Sequence, residues 1–228
     1  MTRLIAKIDS QINLDNIKYS PNFNYKESPY ASMEFPEVGN IDIYNIVDKP
    51  PKNSSQTTRS ELKYLQNITT NRTRTEIDLV YMVDDDPILL FEEVISKYNL
   101  DFPKPFFIAI YYTCAIAIID HLKFYYNRPR PYQLSEYYGV SINRIVTKTH
   151  KTPAYPSGHT MYAALIAEIL SDKYPKHRIE FDKLVDLCGK GRELQGVHYP
   201  SDNEAAKKII KAIYPELKKY YIGVGHEL

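Results

Sequence analysis

Between Ser157 and Tyr174 the chain carries Met161, Tyr162, Leu165, Ile166, Ile169 and Leu170 at helical spacing, with alanines filling the gaps. A helix with so broad an apolar surface and so many small residues must be enclosed by other elements, so it is read as the central helix of a bundle. Nowhere does the chain alternate apolar and polar residues convincingly enough for a strand. The expected fold is therefore all-α, a single helical-bundle domain. With 228 residues and 43% hydrophobic content the chain can build a real core. Its length fits one large domain, or a smaller one with an arm.

The other elements follow from punctuation and period. Residues 1–57 are polar and interrupted by Pro21, Pro29, Pro36, Pro50 and Pro51. Two readings fit them: an extended arm lying over the domain or a partner subunit, and disorder. The helical catalytic domain is assigned to 58–228. Thr58-Arg-Ser-Glu61 has the form of a capping box, opening one long polar helix through Leu62, Leu65, Ile68, Leu79 and Val83. Asp84-Asp85-Asp86-Pro87 reads as an acidic start to a second helix, Ile88 to Tyr98. Phe102 to about Tyr126 is expected to form a buried core helix, with the apolar part from Pro105 to Ile119 too short to span a bilayer. Pro129 and Pro131 force an extended exit from it. A helix from Phe181 to about Leu194 follows, then a last one capped by Ser201 or Asp202 and ended at Pro215. Cys114 and Cys188 fit no zinc or redox spacing and read as buried thiols.

Three clusters carry chemistry, and each falls at a helix terminus. Lys123 and Arg130 frame the Arg-Pro-Arg-Pro stretch, Ser157-Gly158-His159 opens the central helix, and Arg192, His198 and Asp202 lie around the start of the last one. A helix start with glycine offers backbone N–H groups and the positive end of a dipole to an anion. Lys123, Arg130 and Arg192 add permanent charge, and each arginine can fork across two oxygens. His198 and Asp202 are four apart, so the carboxylate can hold one ring nitrogen and leave the other as a nucleophile. His159 is then a second proton carrier. Taken singly, each has an ordinary structural reading: a surface pair, a basic turn, a capped helix start. It is the ordered conjunction that points to phosphoryl chemistry without a metal, and no Walker-type glycine loop is present.

These clusters resemble the signature of the phosphatidic acid phosphatase type 2 superfamily, which also includes bacterial class A acid phosphatases and vanadium-dependent haloperoxidases. The signature runs Lys-x6-Arg-Pro, then Pro-Ser-Gly-His, then Ser-Arg-x5-His-x3-Asp. Lys123 with Arg130-Pro131, Pro156 to His159, and Arg192 with His198 and Asp202 match it with all internal spacings kept. The resemblance covers roughly 88–214. It implies His198 as a nucleophile forming a phosphohistidine, His159 as general acid and Asp202 as the partner of His198. It implies Lys123, Arg130, Arg192, Ser157 and Gly158 as the holders of the phosphoryl oxygens. Gly191 stands where the family has serine, and Tyr199 where many relatives have tryptophan.

The expected activity is thus a metal-independent phosphatase acting on phosphate monoesters or pyrophosphate, with no cofactor and with vanadate as an inhibitor. Two alternatives stand beside it: a haloperoxidase holding vanadate in the same cage as its cofactor, and a non-catalytic phosphate-binding protein. The expected partner is a small phosphorylated substrate, with a homo-oligomer through the N-terminal arm as a further possibility. Net charge of +1 speaks against nucleic acid as a partner. The first residues lack the continuous apolar run of a secretory signal, so a cytoplasmic or otherwise intracellular location is expected, without integral membrane insertion.

Overall fold

The computed structural model describes residues 12–228, and over them the chain is helical, with no strand among the described residues. The first residues, on which the absence of a signal was read, lie outside the described part. Helices α1 (Gln56–Thr70) and α2 (Arg74–Asp85) lead into α3 (Leu89–Lys97). Next, α4 (Lys104–Ile110) runs through a π turn (Tyr111–Ala115) into α5 (Ile116–Tyr126). A short α6 (Pro131–Leu134) and an irregular stretch precede α7 (Gly158–Lys173), α8 (Arg178–Leu194) and α9 (Pro200–Gly223).

Helix α7 is central, as its pattern requires. It is buried on nearly every side and packs chiefly between α8 and α9. Ala163, Ala164 and Ala167 let the backbones approach, while Met161, Leu165, Ile166, Ile169 and Leu170 fill the core with Phe181, Val185, Ile209 and Ile213. The α4–α5 run lies against this core through Phe106, Phe107, Ile110, Ile118 and Leu122. By length and composition it is the one described stretch apolar enough to cross a membrane, although half of its most apolar window is buried inside the protein. That corrects the expectation from 105–119 alone, because the helical run is longer than its most apolar part. Cys114 and Cys188 are buried free thiols.

Three local expectations are corrected. The long helix is two helices, because Asn71 and Arg72 break it and Thr73 with Glu76 forms a reciprocal capping box that starts α2. The cap of α1 is Ser55, not Thr58: its Oγ accepts from the Thr58 N–H at 3.2 Å, and Glu61 is drawn away into the protein. The last helix begins after Tyr199 and passes through Pro215 to Gly223. Proline deletes one helical hydrogen bond there, and buried Tyr214, Leu217 and Tyr221 hold the helix across the gap.

The described part of the arm, 12–55, lies on its own domain as a series of short 3-10 turns. Val38 and Ile43 enter the core, and Tyr25 and Tyr44 close on the buried His121, with the Tyr44 hydroxyl 2.6 Å from its Nε2. The Tyr155 hydroxyl donates to the Asp48 carbonyl at 2.6 Å, which ties the arm to the loop entering α7.

Candidate active site

The end of α5 sets the first cluster. Asn127 takes a left-handed conformation, φ 48°, closing the helix onto the Lys123 carbonyl at 2.8 Å. Each residue before a proline is pushed to extended backbone, so Arg128 and Arg130, two residues apart, project into the protein on separate tasks. Arg130 points into a cavity of about 270 Å³ that is also lined by Lys123, Gly158, His159, Arg192 and His198. Arg128 instead pairs with Asp202, which in turn holds His198.

His198 reaches this position because Gly196 turns the chain out of α8 at φ +81°, where an added Cβ would sit 2.7 Å from Ile142. Its Nδ1 is 3.1 Å from Asp202 Oδ2, and its Nε2 is 2.8 Å from Arg130 Nη1. A guanidinium can only donate and a carboxylate only accepts, so the proton is on Nδ1 and the Nε2 lone pair faces the cavity side. Burial, with Arg130 and Lys123 nearby, pushes the imidazole pKa well below its ordinary value, which keeps that lone pair free in mild acid.

The three cations are buried and share the cavity. Lys123 Nζ donates to the Pro153 carbonyl at 2.7 Å. Arg130 donates through Nε and Nη2 to the Thr152 carbonyl and through Nη1 to the Val197 carbonyl. Arg192 donates to Asp84 Oδ1 at 2.6 Å and Thr149 Oγ at 2.9 Å, while its buried Nε has no partner. Burial lowers the pKa of Lys123, helped by Arg130; it lowers Arg130 to about 10, helped by Arg192, and lowers Arg192 as well. Their strain is electrostatic, and an anion between them relieves it. The first-turn N–H groups of α7 lie beside them with no helical carbonyl to bind.

His159 lines this cavity and a second one, and burial with Arg192 depresses its pKa well below normal while Asp84 opposes the shift. Asp202 does not line the cavity. It sits at the third position of α9, accepting from the Tyr199 N–H at 3.0 Å as well as from His198, so it is not the residue that caps α9 from outside. Ser157 is the one sequence-predicted phosphate ligand that the structure keeps out of the cavity. Its N–H donates to the Asp202 carbonyl and its hydroxyl meets Thr160 at 3.0 Å, with Thr160 in turn bonded to Asn203. Gly158 remains on the cavity wall.

Four contributors escaped the motif reading. Arg128 is buried with Nη1 2.5 Å from Asp202 Oδ1 and Nη2 3.2 Å from Glu61 Oε2, its guanidinium 3.9 Å from the centre of the Tyr199 ring. Glu61 also accepts from the Ser201 N–H at 2.7 Å. Burial raises the Glu61 pKa against the opposing pull of Arg128. The aspartate run divides its work: Asp86 accepts from the Ile88 N–H as a cap should, whereas Asp84 accepts from Arg192, Thr147, Thr149 and Gln195. Burial pushes Asp84 up, yet the bonds from Thr149 and Arg192 outweigh it and hold the carboxyl at about 2. His150, also on the cavity wall, is lowered to about 4 by burial and then by Arg130. Only Arg128 carried a local signal, the doubled Arg-x-Arg-Pro.

Gly191 has a packing explanation. A Cβ there would lie 3.0 Å from Val83 Cγ2, so the glycine lets α2 and α8 close together, which brings Asp84 onto Arg192.

Residues 104–207 match the PAP2 superfamily. The chain is also 33% identical over 99 residues to the non-specific acid phosphatase of Salmonella typhimurium strain LT2, and equally so to that of Salmonella typhi. The matched stretch is 43% of this chain and 37% of the length of either relative.

Proposed function

We propose, from the match of residues 104–207 to the PAP2 superfamily, that this chain hydrolyses phosphate monoesters through a phosphohistidine on His198. The observation carrying the proposal is the tautomer: Asp202 accepts from Nδ1–H, so Nε2 carries the lone pair, bonded to Arg130 and set among three buried cations. Phosphoryl transfer needs little beyond such positioning and charge.

In the first step Lys123, Arg130, Arg192 and the first turn of α7 take the phosphoryl oxygens. Arg130 Nη1 turns from Nε2 to an oxygen, which frees the lone pair. Nε2 attacks phosphorus, the bond to the ester oxygen breaks, and His159, protonated because the bound phosphate anion pulls its pKa upward, gives its proton to the departing alkoxide. Asp202 faces the imidazolium charge that develops on His198. In the second step His159, now neutral, takes a proton from water; the oxygen attacks phosphorus, the P–N bond breaks, and inorganic phosphate leaves. The charge that a metal supplies elsewhere is assigned here to the three side chains. Among the described residues no group of three or more His, Cys, Asp or Glu side chains is arranged to hold a metal ion. The non-specific acid phosphatase relatives support the same reaction class.

The test uses purified protein in excess chelator with p-nitrophenyl phosphate and an alkyl phosphate. His198→Ala is expected to abolish turnover of both. His159→Ala is expected to form the phosphoenzyme from the aryl ester, to accumulate it, and to fail with the alkyl ester, whose leaving group needs the proton. Mass spectrometry should place an acid-labile phosphate on His198. Label on His159 or Ser157, or wild-type activity that returns only with added metal, overturns the mechanism. Vanadate with peroxide and bromide tests the haloperoxidase alternative on the same preparation.

A further inference from the structure

The second cavity that His159 lines, about 290 Å³, adjoins the phosphate cavity and shares Tyr111, Ile116 and Thr149 with it. A group that protonates the leaving oxygen sits by construction on the leaving-group side, so the space beyond His159 is where the alcohol of the substrate lies. Its remaining walls are Asp84, Asp85, Asp86, Pro87, Tyr112 and Tyr162. The π turn builds part of this wall. Its extra residue binds the Ile116 N–H to the Tyr111 carbonyl five residues back and brings Ile116 onto the face of Tyr111. Tyr111 meets Tyr162 edge-on with ring centres 4.7 Å apart, and Tyr112 stands edge-on to Tyr111 at 5.1 Å.

The two cavities differ in charge. One holds Lys123, Arg130 and Arg192 with a single carboxylate, Asp120; the other holds three aspartates beside Tyr111, Tyr112 and Tyr162. Asp84 is committed to Arg192, but among the described residues Asp85 and Asp86 form no ion pair. Ring faces beside uncompensated carboxylates attract an organic cation and disfavour a second anion. We propose that the preferred substrates are phosphate monoesters of cationic alcohols, an alkylammonium group lying between Tyr111, Tyr112 and Tyr162 with Asp85 and Asp86 facing its charge. The inference rests on the hydrolytic reading and names its substrate class.

Choline phosphate and its neutral carbon isostere, 3,3-dimethylbutyl phosphate, test it, because they differ in charge and hardly in shape. A cation–π contact and an exposed ion pair each contribute a factor of about 2–5, so kcat/KM should favour choline phosphate about tenfold. The preference should shrink as salt rises. In the Asp85→Asn/Asp86→Asn double variant the amide oxygen introduced at the second position still caps α3. The ratio should there fall to about one through loss of choline phosphate turnover, with an unchanged melting temperature showing that the fold is kept. Equal rates on both esters in wild type, with p-nitrophenyl phosphate hydrolysed, overturn the inference and leave the phosphatase reading standing. Calorimetric binding of the two esters separates the failures. An inert protein that binds choline phosphate about tenfold more tightly keeps the cation pocket and sinks hydrolysis alone. One that binds both equally sinks both.

Discussion

Removing Arg128 tests whether the charges behind His198 hold it or merely fill space. Its guanidinium joins two buried carboxylates, Asp202 at 2.5 Å and Glu61 at 3.2 Å, and donates to Ser201 Oγ at 2.8 Å. Burial works against its charge, yet Asp202, Tyr199 and Glu61 more than compensate and raise its pKa. In Arg128→Met both carboxylates lose their cation inside the protein. Breaking a buried pair costs about 3–5 kcal/mol. At about 2–4 °C per kcal/mol for a domain of this size, the melting temperature should fall by roughly 6–20 °C. The loss should depend on pH with a definite sign. Without Arg128 the Glu61 pKa, already raised by burial, rises further, so the folded state prefers it protonated. That group then destabilises above its unfolded pKa, and the gap between wild type and variant narrows as pH falls. Glu61→Gln added to Arg128→Met should recover part of the stability without restoring kcat, because Asp202 and His198 remain unbraced. Arg128→Lys should lie between, since an ammonium cannot fork across both carboxylates. Thermal melts from about pH 5 to 8, alongside kcat on p-nitrophenyl phosphate, give both readouts. A melting temperature for Arg128→Met within about 2 °C of wild type refutes the electrostatic account. So does a full return of kcat in the double variant.

Two further expectations rest on the same geometry. Phosphate or vanadate at a hundredfold excess over its Kd should stabilise the protein by about 2.7 kcal/mol. Burial lowers the pKa of Lys123, His159 and His198, and a bound anion pulls all three upward, so calorimetry in buffers of different ionisation enthalpy should show proton uptake; none at all refutes the charge assignment. Gly191→Ser should destabilise by about 1–3 kcal/mol through contact with Val83. It should not raise kcat; a faster, equally stable variant overturns the packing explanation.

The fold was legible wherever period and enclosure coincide. The α7 pattern announces a central helix because alanines between large apolar residues make sense only under close neighbours on several sides. Boundaries read from local grammar failed where tertiary contact outbid it. Thr58-Arg-Ser-Glu61 has the letters of a capping box, but a charged pair with Arg128 and a bond from the Ser201 N–H draw Glu61 inward. Pro215 has the look of a stop, but the apolar residues beyond it have a core to enter.

The same contrast divides the candidate site. The motif residues that line the cavity fall into three short stretches, because helix termini fix their directions locally, so spacing alone exposes Lys123, Arg130, Gly158, His159, Arg192 and His198. The residues that hold those six have no such address. Asp84 meets Arg192 only because α2 closes on α8 across Gly191, and Glu61 meets Arg128 only because α1 lies against the start of α9. Ser157 shows the converse: its motif position is right, but its N–H is spent on the Asp202 carbonyl and its hydroxyl on Thr160. That bond couples the start of α7 to the start of α9, and so sets His159 relative to His198. A serine that appears in sequence as a ligand thus acts in the structure as the joint between His159 and His198.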